Sequence, residues 1–233
     1  MIEIEYDKPL EHCVSCGSDD IRLNLIDFRG IRISRCESCC LQFMNPQYSD
    51  GYLSEYYSTY TDQESDDGWD EALLYGHDYY FSLIEKYAEV GKMLDVGCGA
   101  GHLLEASAKR GWLGRGYDVD EELTKNTAIK LGVDIACGDF MTADLGEGYD
   151  LVTMHQVLEH VKNPADYIRK IHSMMKDEAS IFIAVPNIKS LANRVKFRLE
   201  RLGIRHSIWT IFSQEWTFGH ILSSDVKSTY TKC

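Results

Sequence analysis

From Gly91 onward the hydrophobic positions fall into two kinds of stretch that alternate. Short apolar runs bounded by glycines or acids read as buried strands, at Lys92–Val96, Gly114–Asp118, Val133–Ala136, Tyr149–Met154 and Ser180–Val185. Between them, apolar residues three and four apart read as helices over His102–Arg110, Glu121–Leu131 and Ala165–Met175, the last opened by Pro164, whose fixed φ suits a first turn. Strands alternating with helices predict an α/β domain with a mostly parallel sheet flanked by helices. Before Gly91 the pattern changes. Ile21, Leu23 and Leu25 alternate with polar residues, Gly30 can turn, and Ile31 and Ile33 alternate again, which predicts a small hairpin. Tyr52, Tyr56 and Tyr60, then Tyr75 and Tyr79, repeat at helical spacing and predict irregular helices joined by the acidic loop Thr61 to Gly68. Such a stripe suits a cover half buried against a ligand, yet it is more often ordinary core. After Asn187, Leu191, Val195, Leu199 and Leu202 share one face of a basic amphipathic helix. The chain thus divides into a hairpin unit at 1–45, a tyrosine-rich cover at 46–90, an α/β core at 91–188 and a tail at 189–233.

The hairpin is flanked by Cys13-Val14-Ser15-Cys16-Gly17 and Cys36-Glu37-Ser38-Cys39. A CxxC turn points two thiolates at one ion, and a second turn brought alongside by a hairpin completes a tetrahedral site of four sulfurs. A unit this small buries too little apolar surface to fold without a staple, so a structural zinc ion on Cys13, Cys16, Cys36 and Cys39 is expected. Cys40 is expected to be a bystander. Four thiolates leave no coordination position for a reacting water, so this metal has no catalytic role.

Composition narrows the function. Apolar residues at 44% and charged residues at 26% describe a chain that can bury a core. The net charge is −13, and Cys36 to Glu85 carries eleven acids with no Lys or Arg, a surface that repels phosphate backbones, so nucleic acid is not an expected partner. The longest apolar run, Ile181 to Val185, is far short of the roughly 18 residues of a membrane span, and the acidic N-terminus is unlike a signal peptide. A cytoplasmic protein without a membrane partner is the expectation, and there cysteines serve metals before disulfides.

The chemistry concentrates in Met93-Leu94-Asp95-Val96-Gly97-Cys98-Gly99-Ala100-Gly101-His102, a buried strand that runs into a glycine-rich turn and then a helix. Such glycines let backbone approach a ligand beside a helix N-terminus. A dinucleotide site would want a further glycine where His102 stands, which disfavours a nicotinamide oxidoreductase. From Leu74 to Asn187 the chain resembles the class I S-adenosylmethionine-dependent methyltransferases, a Rossmann-like fold. Leu94 to Gly101 resembles the motif that wraps the methionine part of the cofactor, which implicates Asp95, Gly97, Cys98, Gly99 and Gly101. Gly116-Tyr117-Asp118 resembles the second-strand ending whose acid accepts the ribose hydroxyls, with Val119 beside it. Gly138-Asp139-Phe140 resembles the segment in which Asp139 receives the adenine amino group and a neighbouring apolar side chain, Phe140, stacks on the ring. Tyr149 to Val161, followed by Asn163-Pro164, is similar to the fourth-strand signature of the ubiquinone-pathway and sugar methyltransferases. Bacterial members of that subgroup with an N-terminal zinc ribbon are known. Ala184-Val185-Pro186-Asn187 resembles the fifth-strand ending over the acceptor pocket.

Two departures stand out. Lys176-Asp177-Glu178-Ala179 replaces the family's proline–glycine–glycine turn, so that turn must differ or be longer. The family's terminal antiparallel strand pair is not recognisable after Asn187, although Gly219 to Ser224 faintly resembles the segment before it. A chain that stops there would be truncated, with an unpaired sheet edge that invites a homo-oligomer.

The resemblance implies in-line transfer of a methyl group from S-adenosylmethionine to a small-molecule acceptor, a sugar or another cell-envelope or secondary-metabolite precursor. A general base would follow the fourth strand: His155 first, which also borders the cofactor, then His160 and Glu159. Each histidine fits a structural helix-start role as well. Gln156 stands where an acid would help hold a divalent cation, so none is expected there. The competing class is a binding or regulatory protein that keeps the fold and perhaps the cofactor without turnover.

Overall fold

The computed structural model describes residues 4–26, 30–59, 67–185 and 222–223. The basic helix expected after Asn187 lies outside the described residues.

Five strands build the principal sheet: β4 (Lys92–Val96), β5 (Leu113–Asp118), β6 (Ile135–Cys137), β7 (Tyr149–His155) and β8 (Met175–Ala184). All pair in parallel in the order β6-β5-β4-β7-β8, with β4 central. Helices α3 (His102–Lys109), α4 (Glu121–Leu131) and α5 (Pro164–Met174) are the crossovers. The central strands carry apolar side chains on both faces because both faces are covered. Met93 and Leu151 pack with Phe81, Ile84, Leu103 and Trp112 on one face. Leu94, Val96, Val152 and Met154 pack with Ile171 and Met174 on the other. The two-residue period of a strand is what divides these sets. The fold is the Rossmann-like one the sequence implied.

The elements begin and end close to where their punctuation predicts. Helix α4 spans the expected residues because Asp120 caps it, accepting a hydrogen bond from Leu123 N at 2.9 Å, and Gly132 ends it at φ 67, a left-handed value that glycine adopts freely. Leaving that cap uses Val133 and Asp134, so β6 starts two residues later than expected. The larger difference is at Lys176–Ala179. Helix α5 runs directly into β8, and these four residues bulge between the pairings Tyr149↔Met175 and Leu151↔Ser180. The bulge replaces the expected turn and is tied at its start, where Lys176 Nζ donates to Asp150 Oδ1 at 2.6 Å. The other Asp150 oxygen accepts from Lys92 N at 2.8 Å, so this acid braces β4 and β7.

The N-terminal unit is a separate antiparallel sheet of β1 (Ile21–Ile26), β2 (Arg32–Cys36), β3 (Gln42–Met44) and β9 (Leu222–Ser223), in that order. Helices α1 (Asp50–Thr59) and α2 (Asp67–Ile84) follow it in the chain. One lysine fastens the unit to the core: Lys162 Nζ donates to Asp7 Oδ2 at 2.7 Å and to Asp50 Oδ1 at 2.5 Å. The buried Gln47 adds a bond from Nε2 to Lys162 O at 3.4 Å. No helix among the described residues is long and apolar enough to cross a membrane.

Candidate active site

The ends of β4, β5 and β7 lie side by side at the C-terminal edge of the sheet, which is where open α/β folds form their ligand crevice. Three glycines shape its first loop, each with positive φ, and they are there for two different reasons. A Cβ on Gly97 would lie 2.3 Å from Val157 Cγ2, and one on Gly101 would lie 2.5 Å from Leu131 Cδ1, so both are dictated by packing. A Cβ on Gly99 would meet nothing within 4 Å. The loop's backbone is therefore bare on the crevice side at Gly99. Thr127 Oγ1 donates to Gly99 O at 3.1 Å and Gly99 N donates to Asp118 Oδ2 at 2.8 Å, which pins the loop to α4 and to the end of β5.

Asp118 is half-buried at the crevice, and Oδ1 also accepts from Asp120 N at 3.2 Å. Each carboxylate oxygen keeps a further acceptor site for a ligand hydroxyl. Val119 beside it is exposed. Asp139 is exposed at the next strand end and accepts from Met141 N at 3.0 Å and Thr142 Oγ1 at 3.2 Å. Three of the implicated residues are buried. Phe140 is 1% exposed, its ring stacked on Tyr167 at 4.3 Å. Asp95 is 2% exposed and accepts from Thr153 Oγ1 at 2.6 Å. Burial first, then the charge of Asp118, pushes the Asp95 carboxyl up to about 7. Cys98 is likewise buried, its Sγ against Gly116, and burial raises its thiol well above the ordinary range.

At the end of β7 the backbone turns sharply at Gln156, a non-glycine residue at φ 58, whose N–H donates to Ala184 O at 2.8 Å. The turn leaves His155 at the strand's edge, where burial holds its pKa below the usual imidazole value and so keeps it in the basic form at neutral pH. Residues Leu158–His160 form a single 3₁₀ turn. Glu159 is 1% exposed, both carboxyl oxygens lack hydrogen-bond partners, and burial pushes its carboxyl up to about 7. His160 Nε2 lies 4.0 Å from Glu159 Oε1, beyond hydrogen-bond reach.

Sequence motifs did not point to the partners of His155. From α2 come Tyr80, its ring 5.3 Å from that of His155, and His77, also at 5.3 Å and edge-on. His77 further stacks on His102 at 6.3 Å. No spacing signature marks a lone histidine within an aromatic helix. The tyrosine stripe on the same segment was the only hint of a cover.

Away from the crevice, Cys13, Cys16, Cys36 and Cys39 bring their sulfurs within 4.8 Å of one another, with Cys13–Cys39 and Cys16–Cys36 at 3.6 Å. Tetrahedral coordination at about 2.3 Å would set sulfurs at about this separation. The two turns share one design: Gly17 N donates to Cys13 O and Cys40 N to Cys36 O, both at 2.9 Å, with Gly17 at φ 73 and Cys40 at φ 64. Cys40 is thus the turn residue and its sulfur accepts from Arg35 Nη2 at 3.4 Å, apart from the cluster. Four neighbouring thiols cannot all ionise unaided: burial, then the other three sulfurs, pushes Cys39 up to about 12. A divalent cation removes that conflict.

A parallel sheet in this order, a glycine loop with a bare face, and an acid at the end of the adjacent strand are the features of a Rossmann-like sheet edge. Residues 74–223 match the methyltransferase domain family, and the chain belongs to it, as a class I S-adenosylmethionine-dependent methyltransferase with an N-terminal zinc-ribbon-like unit. It is similar to ubiquinone biosynthesis O-methyltransferase of Saccharophagus degradans, 34% identical over 115 residues that cover 46% of this chain and 49% of that one. The enzyme of the same name from Pseudomonas syringae pv. tomato is 36% identical over 103 residues, 41% of this chain and 44% of its own. The match therefore spans about half the length of these curated relatives. Among solved structures, the plantazolicin methyltransferase BpumL in complex with SAH aligns at 23% identity and TM-score 0.44, over 65% of this chain and 58% of its own. The PH0226 protein of Pyrococcus horikoshii aligns at 20% identity and TM-score 0.47, over 64% and 69%.

Proposed function

We propose that the chain binds S-adenosylmethionine in this crevice and transfers its methyl group to a hydroxyl oxygen of a small-molecule acceptor. The observation that carries the reading is the bare Gly99 backbone hydrogen-bonded to Asp118 at a parallel-sheet edge. Asp118 would take the ribose hydroxyls, Asp139 the adenine amino group, and the loop from Gly97 to Gly101 the methionine part. Phe140, stacked on Tyr167, would support the adenine side from below. Oxygen as the methylated atom follows the relatives, which are O-methyltransferases by name; a sugar or other envelope or secondary-metabolite precursor stays within the same acceptor class. The bound cofactor supplies the electrophilic methyl carbon. His155 would take the proton that the acceptor hydroxyl gives up when its oxygen accepts that methyl group. His160 and Glu159 border the same turn. Zinc on Cys13, Cys16, Cys36 and Cys39 would be structural.

Calorimetric titration with S-adenosylhomocysteine, with NAD as control, tests the cofactor: the first binds and the second does not. Asp118→Ala should weaken the adenosyl ligand by about 1–3 kcal/mol, the loss of two hydrogen bonds to a charged acceptor. An unchanged affinity would remove Asp118 from the ribose site. Consumption of S-adenosylmethionine with phenolic or sugar acceptors separates an enzyme from a protein that binds cofactor without turnover.

A further inference from the structure

His77 is 6% exposed, and its buried Nδ1 has no hydrogen-bond partner. An unmade bond of that kind destabilises a folded protein, and on this face of the sheet α2 otherwise packs Phe81 and Ile84. An apolar residue would have filled the position without that penalty. The ring is also held in place. Its chain neighbour Asp78 accepts from Arg110 Nε at 2.9 Å through Oδ1 and from Nη2 at 3.2 Å through its carbonyl oxygen, while Arg110 Nη1 donates to Glu85 Oε2 at 2.7 Å. Arg110 caps α3, the helix that starts directly after the glycine loop. Two side chains at the crevice bracket the imidazole: His102 heads α3 and His155 ends β7.

A polar atom held ready and unbonded between the glycine loop and the end of β7 needs a ligand group as its partner. Burial first, then His155 and His102, pushes the His77 pKa down to about 4, so the ring offers a lone pair or an N–H and no charge. In the cofactor reading above, on which this inference rests, the methionine part lies along that loop, and its amino-acid group carries both a donor and an acceptor. We propose that His77 closes the amino-acid end of the S-adenosylmethionine pocket, its Nδ1 bonding the ammonium or carboxylate group there. The tyrosine-rich segment would then be part of the cofactor site through α2, and not only a cover.

The test is calorimetry on the full chain with two probes, S-adenosylhomocysteine and 5′-methylthioadenosine, which lacks the amino-acid group. His77→Phe keeps the ring volume and removes the nitrogens. It should weaken S-adenosylhomocysteine roughly ten- to hundredfold while leaving methylthioadenosine within about twofold. His77→Asn, whose amide can overlay Nδ1, should recover most of the loss, and if the Phe variant does not fold, His77→Leu carries the same two-probe comparison against Asn. Equal weakening of both probes in His77→Phe would mean a structural role, and no weakening of either would place His77 away from the amino-acid group; each overturns the inference. Failure of the wild-type chain to bind S-adenosylhomocysteine at all would instead bring down the cofactor reading itself.

Discussion

The two sheets of this protein are specified in different ways. The parallel sheet is dictated by a pattern spread over many residues: Leu94, Val96, Val152, Met154 and Ile171 form one interlocked cluster, and Met93, Leu151, Phe81 and Trp112 another. No single side chain there decides the fold. In the N-terminal unit the buried clusters are small, Cys13, Cys36 and Phe43 in one and Ile31, Met44, Tyr48 and Tyr52 in the other. Leu23 and Ile26 of its hairpin are 48% and 54% exposed. Four sulfur atoms supply what apolar burial does not. A distributed core tolerates damage locally, whereas a unit that its four thiolates would organise about one ion would stand or fall with those ligands.

The sharpest way to break the comparison is to remove ligands. Replacing both Cys13 and Cys36 by Ser should lower zinc from about one per chain to none by elemental analysis. Structural zinc sites carry on the order of 10–16 kcal/mol of apparent binding energy, so amide protection in β1–β3 should collapse. Protection in β4 and β7 should persist. Loss of protection in both sheets together would mean that Lys162 and its two aspartates bind the units into one cooperative block.

Next in size is Leu94→Ala, at a position with no exposure in the larger cluster. A cavity there should cost about 3–5 kcal/mol and lower the thermal midpoint by roughly 10 °C, with zinc content unchanged. A drop under about 1 kcal/mol would mean that the sheet repacks far more freely than its burial implies.

The same contrast explains what the sequence made legible. The paired CxxC turns name their own ligands, because metal chemistry demands specific residues at specific spacing. The strands and Glu121–Leu131 were legible from period and caps. His77 was not, since its role comes from α2 lying across the ends of α3 and β7, a tertiary fact that no local pattern records. The burial of Phe140 was hidden for a related reason: an apolar residue after an exposed acid reads the same whether its ring faces ligand or meets Tyr167. The family resemblance puts a turn, altered or lengthened, at Lys176–Ala179, yet the chain uses it as a bulge, with Lys176 paired to Asp150.

Within the core, Glu159 allows the distributed design to be probed electrostatically. Burial pushes its folded-state pKa up to about 7, above the ordinary carboxylate range. Between roughly pH 4 and pH 7 the folded chain therefore binds more protons at this site than the unfolded chain, and stability falls as pH rises through that window. Glu159→Gln cannot ionise. It should match the wild type near pH 4 and exceed it by about 1–3 kcal/mol above pH 7 in urea unfolding. A difference that does not change with pH would show that the Glu159 carboxyl is not held protonated by its burial.

The smallest effect returns to the four-cysteine unit, whose two turns close on different residues. Gly17 and Cys40 occupy the same left-handed position, at φ 73 and φ 64, but only the glycine adopts it without a Cβ clash, which costs a side-chain-bearing residue about 1–2 kcal/mol. Against this, glycine loses more freedom on folding, about 0.5–1 kcal/mol, and the contact from Arg35 Nη2 to the Cys40 sulfur would go. Cys40→Gly should therefore tighten zinc by under 1 kcal/mol, a shift of a fewfold in competition with a chelator. If instead the variant bound zinc more weakly, the Arg35–Cys40 contact would outweigh the backbone strain. Cys40 would then be part of what holds the second turn, and the unit would depend on five cysteines instead of four.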